Sequence, residues 1–159
     1  MTQISILGCG WLGFPLALSL QRKGFVIYGS TTSRSKLETL RSAAIHPFLI
    51  NLTEVNIEGD INSFLDGSDV LIIDIPPKMR NNPSPSFSEK IKELIPFILA
   101  STVNRVLFVS STSVFGNHQG CVNEDTEPLP DTASGEELLK SERLLNENPC
   151  FKTTILRFG

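Results

Sequence analysis

The stretch Ile4-Ser-Ile-Leu-Gly8-Cys-Gly-Trp-Leu-Gly13 opens the chain and decides its fold. A short apolar, strand-like run leads directly into three glycines spaced as GxGxxG. A stretch with helical spacing follows: Leu12, Leu16 and Leu20 recur every fourth residue, Arg22 and Lys23 put positive charge at the far end, and Gly24 is a stop. Pro15 falls at the edge of the first turn, where a missing amide hydrogen is best tolerated. The segment predicts a strand, a tight turn, a helix over Trp11–Arg22 and a return to a second strand near Phe25.

Comparable runs recur at Phe25–Tyr28, Phe48–Ile50, Val70–Ile75, Val106–Ser110 and Thr153–Phe158, with helical spacing in several of the intervals. Continuous apolar strands alternating with helices belong to a parallel sheet covered on both faces. A later helix is expected from Ser86, whose hydroxyl would cap it while Glu89 returns the bond. Phe87, Ile91, Leu94, Ile95 and Ile98 form its apolar face, and Pro96 should kink or end it. The preceding Lys78–Ser86 segment is turn-rich and reads as mobile. The expected fold is α/β: one Rossmann-type doubly wound domain over residues 1–159, about six parallel strands in the order 3-2-1-4-5-6, with helices on both faces.

Composition narrows the function. With 159 residues, 40% of them apolar before glycine is counted, the chain can build a core without metal or disulfide staples. Cys9, Cys121 and Cys150 are odd in number and scattered, which fits a reducing, cytoplasmic setting, and no Cys/His cluster points to a metal. A net charge of −3 gives no attraction to nucleic acid or anionic lipid. No targeting segment is visible, and the longest apolar stretches are short and interrupted by Asp74 and Pro96, so no membrane span is expected. Glu54, Glu58 and Asp60 read as a solvated face.

The glycine loop carries the chemistry. Gly8 permits the turn, Gly10 lets a diphosphate reach the backbone, and Gly13 lets helix and strand approach. Phosphates would sit on free amides at the positive helix end, with Trp11 and Leu12 in the loop. A glycine-rich turn without a ligand is the alternative. Trp11 is expected to pack. No acidic residue lies between Gly24 and Glu38 to accept from the adenosine ribose, so NADP is preferred over NAD. Ser30, Thr31, Arg34 and Lys36 would hold its 2′-phosphate; alternatively Ser33 caps the next helix and the two cations are solvated. The helix end would lower the Cys9 thiol pKa, although packing is the favoured role for all three thiols. His118, in a loop after the fifth strand, is a candidate acid or a solvated loop residue, and His46 reads as structural.

Taken together these motifs resemble the extended short-chain dehydrogenase/reductases, the NAD-dependent epimerase/dehydratase family, and especially its atypical members. Asp69-Val-Leu-Ile-Ile-Asp-Ile-Pro-Pro77 is similar to the segment that passes under the cofactor, which implies contacts from Ile75, Pro76 and Pro77. Val109-Ser-Ser-Thr-Ser-Val-Phe-Gly116 resembles the fifth-strand SSxxVYG motif with Phe115 for Tyr, and Glu124–Pro130 the acidic-proline segment after it. The resemblance implies a substrate contact at Ser111. It also implies a Tyr and a Lys in YxxxK, the Lys lowering the Tyr pKa for proton exchange. Those positions hold Ser134 and Leu138, and the one tyrosine, Tyr28, is in the second strand.

Ser134 with Glu137 reads as a capping box, and Lys140 is turned about 200° from Leu138 around the helix. Members of the family continue into a smaller substrate lobe, so the chain is expected to be a fragment or a cofactor domain standing alone. Its last strand edge would invite a homodimer. The implied function is an NAD(P)-binding oxidoreductase or epimerase-like protein acting on a small polar or nucleotide-linked substrate without the Tyr/Lys pair. The alternatives are a non-catalytic NADP(H) sensor and an interaction domain with an empty cleft.

Overall fold

The computed structural model describes residues 2–77 and 87–159; the Lys78–Ser86 segment and the Ser86 half of the expected capping box lie outside them. In chain order the elements are β1 (Gln3–Leu7), α1 (Gly13–Arg22), β2 (Val26–Thr31), α2 (Leu37–Ser42), β3 (His46–Leu49), β4 (Asn51–Leu52), β5 (Ile57–Glu58), α3 (Ile61–Leu65), β6 (Val70–Ile73), α4 (Phe87–Leu99), β7 (Arg105–Ser111), α5 (Ala133–Asn146) and β8 (Lys152–Phe158). Six strands form one parallel sheet in the order β3-β2-β1-β6-β7-β8. Counted within the sheet this is 3-2-1-4-5-6, so the topology reverses between β1 and β6, where open α/β sheets bind ligands.

Successive strand residues face opposite layers, and both layers are buried. Ile4, Ile6, Ile27 and Ile72 pack with Ala17 of α1 and Leu40 of α2. Leu7, Leu71, Ile73 and Phe108 pack on the other face with Phe64, Ile91, Leu94 and Leu145. Ser5 is a buried hydroxyl in the central strand, and it is satisfied by the Phe64 carbonyl at 2.6 Å and by Ser68 Oγ at 2.7 Å.

Several local expectations are corrected. β2 runs on to Thr31, so Ser30 and Thr31 are strand residues, and β6 stops at Ile73, before Asp74. The antiparallel β4–β5 pair was not anticipated; Asn51 Nδ2 donates to Glu58 at 2.9 Å across it, and Asp60 caps α3 by accepting from the Ser63 amide. Two of the three acidic residues read as a solvated face thus have local structural work. α4 passes through Pro96 to Leu99, and the Pro96 carbonyl accepts from the Ala100 amide. α5 is capped by Thr132, which accepts from the Gly135 amide, not by Ser134. Glu137 instead reaches α4, accepting from the Ser88 amide at 3.0 Å and its hydroxyl at 2.8 Å. Lys140 sits beside it at 2.7 Å.

A second buried carboxylate ties the far side of the sheet. Glu142 of α5 accepts from Ser110 Oγ at 2.6 Å on β7 and is held by Arg157 of β8 at 2.8 and 3.1 Å. The same guanidinium lies 5.0 Å from the Phe115 ring centroid. Replacing Glu142 with Ala strands Arg157 and Ser110 without their acceptor. We expect a loss of about 3 kcal/mol, read as a lower urea midpoint with an unchanged denaturant slope.

Candidate functional site

The glycine loop joins β1 to α1 and is pressed onto the end of β6. Gly8 adopts φ +106°, and a Cβ there would collide with the Asp74 carbonyl oxygen. A Cβ on Gly13 would strike the Gly8 carbonyl oxygen. Gly10 is different: nothing lies within 4 Å of where its Cβ would be. Gly8 and Gly13 therefore close the turn, and Gly10 leaves it open to a ligand.

From β2, Ser30 clamps the loop, its carbonyl accepting from the Cys9 amide at 2.7 Å and its hydroxyl from the Gly8 amide at 2.9 Å. Among the described residues, the Trp11 and Leu12 amides have no hydrogen-bond acceptor. They are the free donors at the positive end of α1.

Two clefts meet at this loop. One, of about 230 Å³, is bounded by Ser30, Thr31, Thr32, Lys36, Asn51, Phe87 and Lys90. The other, of about 370 Å³, is bounded by Trp11, Leu12, Pro77, Val109, Ser110, Ser111 and Leu138. Gly10, Asp74, Ile75 and Pro76 line both, so the tail of β6 forms the shared floor.

Most of the residues expected at a cofactor site are brought together here, with altered roles. Ser30 and Thr31 line the first cleft, but each hydroxyl already accepts from a backbone amide, Ser30 from Gly8 and Thr31 from Ser33. Lys36 lines the cleft, whereas Arg34 is exposed and does not. Trp11, expected to pack, is 93% exposed: it stands at the rim of the second cleft with no apolar surface of the described chain covering it.

Ser111 lines the second cleft and also accepts from the Ser113 amide at 3.1 Å, leaving its own proton to donate. Leu138 is buried in the same wall. His118 is exposed, its ring folded back over Gly116, and it lines neither cleft. His46 stacks on Tyr28 at the far side of the sheet, ring centroids 4.9 Å apart.

Sequence reasoning missed Asp74, Asn51, Phe87 and Lys90. The last two stand on a helix whose apolar spacing reads only as core, and their place in the cleft depends on how α4 docks. Asp74 carried one available signal, a carboxylate just past a strand that follows a glycine loop.

The electrostatics reverse one expectation. Cys9 is buried, and both desolvation and the neighbouring Asp74 charge push its thiol up to about 12, so it is neither acidic nor reactive. Cys121 and Cys150 are exposed rather than packed. Asp74 is raised to about 6 by desolvation, against a lowering hydrogen bond from the Gly13 amide. A carboxyl whose folded pKa lies above its unfolded value binds more protons when folded, so stability falls as pH rises from about 4 to about 6 and stays lower above. Asp74→Asn keeps an acceptor for Gly13 and removes the charge. Its Tm should exceed that of the natural protein by about 2–4 °C near neutral pH, with the two melting curves converging near the unfolded carboxylate pKa.

No family model matches the chain. The protein YeeZ of Escherichia coli K12 is 36% identical over 161 residues, covering all of this chain and 58% of that protein. The chain thus spans little more than half of this relative. Among solved structures, the UDP-Glc/GlcNAc 4-epimerase of Campylobacter jejuni superposes with a TM-score of 0.80 at 21% identity, over 99% of this chain and 53% of that one. The UDP-glucuronic acid 4-epimerase of Bacillus cereus in complex with NAD gives 0.77 at 20%, over 99% and 56%. A short-chain dehydrogenase/reductase superfamily protein of Agrobacterium tumefaciens with bound NAD gives 0.75 at 20%, over 98% and 48%. With its glycine loop at the β1–β6 reversal and its six-stranded parallel order, the chain has the fold of the NAD-dependent epimerases and the short-chain dehydrogenase/reductases.

Proposed function

We propose that the chain is an NAD(P)-binding domain, the dinucleotide lying across the two clefts with its diphosphate at Gly10. The observation that carries this reading is the open space at Gly10, where the clefts meet beside the free Trp11 and Leu12 amides. The solved structures bearing NAD on the same fold support it. The adenosine half belongs in the cleft of Lys36, Asn51 and Lys90, and the nicotinamide half in the cleft of Ser111 and Leu138. Ile75, Pro76 and Pro77 lie beneath. Lys36, just ahead of α2, brings a cation to this cleft and favours NADP over NAD.

When bound, the nicotinamide supplies hydride transfer. Ser111 has a free proton with which to orient a small polar or nucleotide-linked substrate in an oxidoreductase or epimerase-like reaction. Proton transfer falls to bound water, to His118 if its loop rearranges, or to groups contributed beyond this segment, because Ser134 and Leu138 supply neither a phenol nor an amine. A second reading, a non-catalytic NADP(H) sensor, is favoured by one observation: Leu138 is only 3% exposed and puts an apolar side chain where the family lysine would hold the ribose. The three free thiols fit a cytoplasmic setting, and the outer edge of β8 is where a second copy would pair.

Calorimetric titration should show both dinucleotides binding, NADPH about tenfold more tightly, a difference of about 1.4 kcal/mol. Equal or reversed affinities would remove the NADP assignment, and no heat with either would remove the reading. In the full-length protein, turnover of a carbonyl or sugar-nucleotide substrate followed at the nicotinamide band supports the enzyme. Binding without turnover across the panel supports the sensor.

A further inference from the structure

We propose that the dinucleotide enters this site together with one proton, taken up from solvent by Asp74, so that its carboxyl group becomes a hydrogen-bond donor to the diphosphate. The inference rests on the dinucleotide reading above and concerns the charge state in which that site binds.

Asp74 is the carboxylate that lines both clefts, at the junction where Gly10 leaves room for the diphosphate. Its carboxylate already takes the Gly13 amide, one of the donors that open α1, leaving those of Trp11 and Leu12. A diphosphate on these two amides shares the junction with a fixed carboxylate. Two anions in a partly desolvated pocket repel, and the least costly remedy is to protonate the weaker acid. The carboxylate is held in place by the Gly13 amide, and it lies close enough to Cys9 for its charge to act on that thiol. Nor is the charge paired: the ion pairs among described residues are Arg41–Glu38, Lys92–Glu89, Lys140–Glu137 and Arg157–Glu142.

Among the described residues, the polar and charged groups around the junction leave Asp74 as the one to titrate. The Cys9 thiol from the loop ionises far above neutrality. Ser30 from β2 and Ser110 and Ser111 from β7 are hydroxyls, and α5 presents Leu138. Lys36 ahead of α2 and Lys90 of α4 bring positive charge to the first cleft, where it attracts the ligand without pairing Asp74. His46 and His118 line neither cleft. Burial has already moved Asp74 up to about 6 without a ligand, so a nearby phosphate needs to move it only modestly for protonation to dominate at neutral pH.

NADH is the probe, because the additional phosphate of NADPH titrates near pH 6 itself, as phosphomonoesters do. Calorimetry of the natural protein near neutral pH, in buffers of different ionisation heat, should show net proton uptake. Affinity should weaken about fivefold between about pH 6 and about pH 8, the part of the tenfold effect of a one-unit rise in the carboxyl pKa that falls in this range. Asp74→Asn should bind NADH more tightly than the natural protein at the upper pH and lose the dependence.

A flat affinity without proton uptake in the natural protein overturns the proposal, and so does uptake retained in Asp74→Asn. Because the calorimetry on the natural protein needs no variant, a misfolded Asp74→Asn leaves the test standing. Absence of binding by NADH and NADPH alike at every pH is a distinct result: it overturns the dinucleotide reading, and this inference with it.

Discussion

The backbone contact between the glycine loop and the end of β6 is the constraint on which the molecule depends. Gly8 and the Asp74 carbonyl, and Gly13 and the Gly8 carbonyl, meet so closely that a single methyl group at either glycine would separate them. That approach puts the positive end of α1 at the reversal in strand order, between β1 and β6. It also defines the floor shared by the two clefts. Had the loop stood further from β6, the amides of Trp11 and Leu12 would face bulk solvent rather than the junction of two clefts.

The rest of the structure holds that junction from the other side. Glu137 and Glu142 lie on one helix and serve two different neighbours, the start of α4 through Ser88 and the β7–β8 pair through Ser110 and Arg157. Both carboxylates are buried and fully engaged, so they fix orientation more than they add net stability. α4 thereby brings Phe87 and Lys90 to the first cleft, and α5 brings Leu138 to the second. Leu138 packs into the core from the same helix, while Ser134 takes no part in these carboxylate contacts.

Legibility differed by feature, and the reason is the range of the interaction. Strand existence, the six-strand order, the helix after the glycines and the apolar face of α4 were all readable, because apolar periodicity and glycine spacing act within about a dozen residues. The end of β2, the cap of α5, the course of α4 through Pro96 and the β4–β5 pair were not. For the first two a competing partner is in view: the Ser30 hydroxyl takes the Gly8 amide, and α5 is capped by Thr132 on the Gly135 amide while Glu137 is drawn off to Ser88. Trp11 shows the limit in the other direction. Its size argues for packing, yet among the described residues the tip of its loop leaves it 93% exposed.

By itself, the sequence determined the fold class and the position of the glycine loop, since these follow from which residues are present and how they are spaced. Only the tertiary structure decided which candidate groups share a cleft. It set Lys36 and Lys90 on one cleft and left Arg34 and His118 outside both. It buried Cys9, as its packing role leads one to expect, with the thiol pushed up rather than down, and it put the half-buried Asp74 carboxylate where the two clefts meet. Desolvation and charge proximity are properties of packed neighbours, many of them remote in the chain, so no local spacing encodes them.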